Sequence, residues 1–131
     1  MNPVTEDVKD ILVADPDLGL VFATNLFVGK EPDSPDACVT IYDTGGFPPQ
    51  LTLTKGEDYY RSSFQVRVRD RVYLDAWEMA NDIKVLLHGK SHETWNGTSY
   101  EVLVCTGEPT MIGYDLSNRA LFTVNFTAQR H

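Results

Sequence analysis

Between Ser62 and Gly89 the chain reads SSFQVRVRDRVYLDAWEMANDIKVLLHG, and the spacing of its apolar residues changes period within a few positions. Phe64, Val66 and Val68 alternate with Gln65, Arg67 and Arg69, the pattern of a strand buried on one face. From Val72 onward Tyr73, Ala76, Trp77, Ala80, Ile83 and Leu87 recur at helical spacing, and Gly89 is placed to end the helix. Trp77 is expected on the inner face of that helix. A strand that turns directly into an amphipathic helix belongs to a small α+β unit, and none of its side chains is an obvious catalyst.

The rest of the chain fits a single domain, residues 1–131. A chain of 131 residues removes roughly two-thirds of its unfolded surface from water, enough for a core without staples. Its net charge of −8 argues against a broad nucleic-acid-binding surface, which needs clustered Lys and Arg to displace counterions. Acidity suits solubility, and it also suits a wall that DNA slides past without sticking. Cys38 and Cys105 each lie in an apolar run and are expected as free thiols. The start, MNPVTEDVKD, has neither the basic nor the apolar region of a signal peptide. No apolar run approaches the roughly 18 residues of a membrane span, so a cytosolic origin with reduced cysteines is expected.

Along the chain, Asn2 or Thr5 can cap a first helix whose stripe is Val4, Val8, Ile11 and Leu12, ended by Asp15-Pro16-Asp17. Strands are expected at Leu20–Val28, Cys38–Tyr42, around Phe64–Val68, at Tyr100–Thr106 and at Ala120–Ala128. Glu31–Ala37 and Ser91–Ser99 read as polar turns, and Gly107–Asn118 as a connection. Phe47–Tyr60, with Pro48-Pro49 and Lys55-Gly56-Glu57-Asp58, reads as a long connection of the kind that carries contacts. The expected fold is α+β, with a mostly antiparallel five-stranded sheet and two helices packed on one face, in the order α-β-β-β-α-β-β. Such an open sheet has two edges to protect, and subunit pairing is one way to do so.

Asp43-Thr44-Gly45 follows the β-run Cys38–Tyr42 and resembles the catalytic tripeptide of retroviral-type aspartic proteases. That chemistry would need a homodimer, with two Asp43 carboxylates sharing a proton. The Gly-rich flap is missing and a long helix interrupts what should be nearly all β. As a plain turn, Asp43 bonds its own loop while Gly45 and Gly46 supply positive φ. His88 and His92 are four apart, but Gly89 breaks the helix between them, so no metal site is expected. No nucleophile elbow or phosphate loop is present, and no cofactor is implied. Arg67, Arg69 and Arg71 form a row of charges suited to registering a neighbouring subunit. Tyr59, Tyr60 and Trp95 lie in or beside polar segments, where exposed aromatics mark contact surfaces.

Several of these pieces recur together in one known family. They are the turn Asp43-x-Gly45-Gly46-x-Pro48, the strand Gln65-Val66-Arg67-Val68-Arg69, and the helix carrying Ala76 and Ala80 that closes at Leu86-Leu87-His88-Gly89. Pro109-Thr110-Met111-Ile112-Gly113-Tyr114-Asp115, Arg119 and the strand Phe122–Phe126 follow. In order and spacing the chain resembles the tail terminator (tail-completion, or minor capsid) proteins of long-tailed bacteriophages, from about residue 5 to its end. The resemblance implies a non-enzymatic virion protein, assembled in the host cytoplasm. It would form a homo-oligomeric, hexameric ring that caps the tail tube at its head-proximal end and stops its polymerisation. It would also offer a surface to the head connector protein. DNA would pass through the channel without sequence-specific binding, and no membrane is involved. Subunit-interface candidates are Arg67, Arg69, Arg71 and Arg119. Contact-loop candidates, reaching toward tube or connector, are Asp43, Gly45, Gly46, Phe47, Pro48, Pro49, Tyr59 and Tyr60. A different head–tail connector component is the related alternative.

Overall fold

A computed structural model describes residues 1–51, 53 and 58–131. The described residues form helices α1 (Val4–Ala14) and α2 (Tyr73–Leu87). Their strands are β1 (Leu26–Val28), β2 (Cys38–Gln50), β3 (Tyr59–Asp70), β4 (Ser91–Trp95), β5 (Thr98–Cys105), β6 (Thr110–Tyr114) and β7 (Ala120–Arg130). The sheet runs β1-β2-β3-β7-β5-β4, with β6 also paired to β7. β7 is the axis. β3 lies along its whole length on one side, while β6 and β5 share the other side end to end.

The period-2 residues of the central strands sort into two faces. Val39, Val68 and Phe122 stand in one cross-strand row, Ile41, Val66 and Val124 in the next, and Phe64 beside Phe126 in a third. The last two rings stack 5.0 Å apart. Both helices cover this face. Val4, Val8, Ile11 and Leu12 of α1 and Ala76, Ala80, Ile83 and Leu87 of α2 complete one buried core. The alanines let α2 approach the sheet closely, and burial of the larger side chains contributes about 1.5–3 kcal/mol each. The opposite face is polar, with Gln65 donating to Asn125 at 3.1 Å and Ser63 beside Thr127.

The α+β class and the packing of both helices on one face match expectation, but the described sheet has seven strands, not five, and its β1–β2 pair is parallel. Leu20–Val28 shortens to Leu26–Val28 because the Asn25 side chain closes a turn, accepting from Val21 N and donating to the Gly19 carbonyl. Neither Asn2 nor Thr5 caps α1, whose N-cap is Pro3. The Thr5 hydroxyl donates to Asp43 instead. Ser91–Ser99 is a hairpin about Asn96-Gly97, both at positive φ, as two-residue hairpin turns require. Thr110–Tyr114, expected as connection, is strand β6. Trp77 is 38% exposed and sits on the flank of α2. The inner stripe is Ala76, Ala80, Ile83 and Leu87. Among the described residues no helix is long and apolar enough to cross a membrane.

Candidate functional site

The arginine candidates converge on one loop. Arg69 and Arg67 point to the polar face of β3, Arg71 follows the strand, and Arg119 precedes β7 by one residue. Antiparallel pairing of β3 with β2 and β7 carries all four to the segment 31–36. Arg69 is 3% exposed and donates to the carbonyl oxygens of Pro32 (2.6 Å), Pro35 (2.6 Å) and Asp36 (3.1 Å). Its rigid fork of donors suits three fixed acceptors. Arg119 is also buried. It donates to the Asp115 carboxylate at 2.8 Å, to the Asp33 carbonyl, and to Asp36 at 3.3 Å. Arg71 pairs with Asp36 in the open, and Arg67 Nε lies 3.6 Å from Glu31.

The electrostatics follow from these contacts. The hydrogen bond from Arg71, with help from Arg119, holds the Asp36 carboxyl below its ordinary 3.8. The backbone and then the side chain of Arg119 do the same for Asp115. Burial pushes the Cys38 thiol up, as expected for an inert free cysteine. Arg69 and Arg119 thus serve their own chain, fixing a loop with no regular secondary structure. Arg67 and Arg71 retain surface.

A second polar cluster secures the opposite end of β7. Asp7 of α1 is fully buried and accepts from the Tyr100 hydroxyl and, at 2.7 Å, from Asn96 of the hairpin turn. Arg130 lies 3.8 Å from the same carboxylate and donates to the Asn2 carbonyl at 2.7 Å. Burial, then the Asp7 carboxylate, hold the Tyr100 phenol well above its ordinary 10. Reading for motifs misses Asp7, although a carboxylate on the stripe side of an amphipathic helix is a signal.

The contact-loop candidates lie on a β-arm rather than a loop. β2 continues past Tyr42 through two register shifts, at Asp43/Gly45 and Phe47/Gln50, and pairs with β3 as far as Gln50 with Tyr59. The bulges absorb the residues that break the alternation: Gly45 and Gly46 have positive φ, and Pro48-Pro49, which lack N–H donors, lie on an unpaired edge. A Cβ on Gly46 would collide with the Arg61 carbonyl, so only glycine fits that approach. β1 covers only Val39–Ile41 of β2. From Asp43 outward β2 is exposed, with Phe47 at 64% and Leu51 just beyond it at 81%, and Tyr59 is exposed on the returning strand. Tyr60 is half-buried. Lys55-Gly56-Glu57 of the expected connection lies outside the described residues.

Asp43 has no catalytic geometry. It sits inside a bulged strand, on the helix side opposite Phe64, and takes the Thr5 hydroxyl at 3.1 Å. His88 accepts from the Cys105 amide at 3.0 Å and anchors β5 to the end of α2. Among the described residues no three potential ligands are grouped to hold a metal.

The family model described as bacteriophage tail terminator protein matches residues 8–131. Among solved structures, a chain in the virion of a native gene transfer agent (GTA) particle superposes with a TM-score of 0.68 at 14% identity, covering 98% of this chain and 94% of that one. Another solved chain superposes with a TM-score of 0.57, also at 14% identity, covering 98% and 90%. At such identities the likeness establishes the fold. No curated protein matches the sequence.

Proposed function

We propose a function from one premise: this chain belongs to the bacteriophage tail terminator family. It is a structural protein of the phage tail and not an enzyme, so the aspartic-protease alternative is set aside. The finer reading is that it assembles as a hexameric ring on the head-proximal end of the tail tube. There it ends tube polymerisation and joins the head connector, while DNA passes through its channel.

The family match across nearly the whole chain carries this reading, and three features support it. A ring needs a heterologous interface, one patch meeting a different one, and the β2–β3 arm is a patch with no cover in its own chain among the described residues. The net charge of −8 disfavours adhesion of DNA to a channel wall. Arg67 and Arg71 keep exposed surface for a neighbour's carboxylates, whereas Arg69 and Arg119 shape the loop that presents them.

Native mass measurement with electron microscopy, on the protein alone and after mixing with polymerising tail tube protein, tests this. The expected result is a ring of six chains and tubes that stop growing once one end is capped. Tubes that elongate unchanged, with no ring on any end, would refute it.

A further inference from the structure

We propose that the β2–β3 arm of one subunit docks on the flank formed by β6 and α2 of the next copy. This rests on the ring reading and names its contact. The two surfaces lie on opposite sides of the sheet: in the order β2-β3-β7-β6 the arm is at one margin and β6 at the other. That is the placement a head-to-tail contact requires.

The receiving flank is built from two elements. β6 pairs with β7 alone among the described strands, leaving its second backbone edge open, and the strand has none of the Lys or Pro residues that usually block strand addition. Met111 and Tyr114 pair with Phe122 and Ala120, both core residues, so they stand on the helix side. There they meet α2. Tyr73 packs on Phe122 with ring centroids 5.4 Å apart, and one turn from the other end Lys84 pairs with Glu108, just before β6. Trp77 lies on the same helical stripe, between those two anchors. Tyr73, Trp77, Ile112 and Tyr114 are each 38–54% exposed, an apolar strip of the kind that marks a partner surface.

The arm is complementary in charge and apolar character. Phe47 and Arg61 are directly cross-strand, so one face of the arm presents an aromatic ring and a cation together. Arg61 has a hydrogen bond to Gln50 but no carboxylate among the described residues. Beside the flank are Glu108, whose side chain is 79% exposed although it pairs with Lys84, and Glu78, next to Trp77 in sequence, exposed and with no cation partner among the described residues. A guanidinium beside Trp77 gains further from the ring face. In an acidic chain, most contacts between copies are repulsive. This pairing sets a cation against carboxylates and buries apolar residues from both sides.

Phe47→Cys and Ile112→Cys, in a Cys105→Ser background with Cys38 buried, test the contact through a short bismaleimide linker. The doubly substituted chain should give a covalent ladder ending at six chains. A mixture of the two single variants should give dimers containing one of each, and each single variant alone should stay uncoupled. Phe47→Asp in the otherwise native chain should weaken self-association at least about tenfold. Rings that form without any 47–112 coupling would overturn this contact and leave the ring reading intact. Coupling between the position-47 thiols of two Phe47→Cys chains, or of that thiol to tube protein when tubes are present, would overturn it too. Chains that never associate, alone or on tubes, would overturn both.

Discussion

The β2–β3 ribbon has two halves made by the same pairing and fated differently. In the inner half, Val39 and Ile41 against Val68 and Val66 are buried beneath the helices, and Arg69 on the other face is enclosed by the 31–36 loop. In the outer half the pairing continues from Gly45 to Gln50, yet Phe47 and Leu51 stay in water. The hydrogen-bond ladder is common to both. What differs is cover: the inner half is covered by its own chain, and the outer half is left exposed.

The sharpest way to break that contrast is to remove cover from the inner half. Arg69→Ala strands three carbonyl acceptors and should destabilise the fold by about 3–5 kcal/mol, as breaking a buried charged network does. At the other end of β7, Asp7→Ala should cost about as much, since it leaves the buried Tyr100 hydroxyl without its acceptor and the buried Arg130 guanidinium without its carboxylate. Urea unfolding checks both, and a loss under about 1 kcal/mol, the scale of an exposed ion pair, would show that the core stands without these clusters.

A smaller effect separates the halves from within the arm. Gly46→Ala places a Cβ against the Arg61 carbonyl at a φ of +110° and should strain the hairpin by about 1–3 kcal/mol. Limited proteolysis should then cut the arm readily while the melting temperature moves little. A fall as large as that of Arg69→Ala would mean the two halves unfold together.

Protonation probes the two polar clusters further. The Tyr100 phenol titrates higher folded than unfolded, so its contribution is complete below pH 10 and is lost as pH rises above it. Tyr100→Phe should flatten the alkaline decline in stability. Asp36 and Asp115 have the opposite sign: their carboxyls titrate below 3.8 when folded, so their contribution is lost as pH falls through that region. Phe47→Ser should have the smallest effect on folding, within about 0.5 kcal/mol for an exposed site, even though the proposed docking gives Phe47 an assembly contact. A melting-temperature drop of several degrees would show that Phe47 is already packed in the free chain.

The same division explains what could be read from the residues alone. β3, α1 and α2 are local patterns, and their stripes Val8/Ile11/Leu12 and Ala76/Ala80/Ile83/Leu87 follow from spacing. Trp77 is misplaced by spacing because it does not settle which residue of a wide stripe reaches the core when two alanines draw the helix inward. Asn96-Gly97 between Trp95 and Thr98 is a legible hairpin signal that polar neighbours obscure. The outer half of β2 is hidden by Gly45-Gly46 and Pro48-Pro49, which end a central strand but not an edge strand with bulges. Its prolines and aromatics still single the segment out, and it is exposed. The arginine cage has no local signal, since Arg69 and its acceptors lie 33–37 residues apart and meet only through sheet register.

Hydrogen exchange on the arm, before and after assembly on tail tubes, tests most directly the claim that the outer half is completed by a neighbour. The amides of Gly45, Gly46, Phe47 and Gln50 should exchange fast in the isolated chain and slow at least about tenfold in the assembled ring. Val66–Arg69 should stay protected throughout. An arm already as protected as the inner half in the free chain, or one still exchanging freely in the ring, would contradict it.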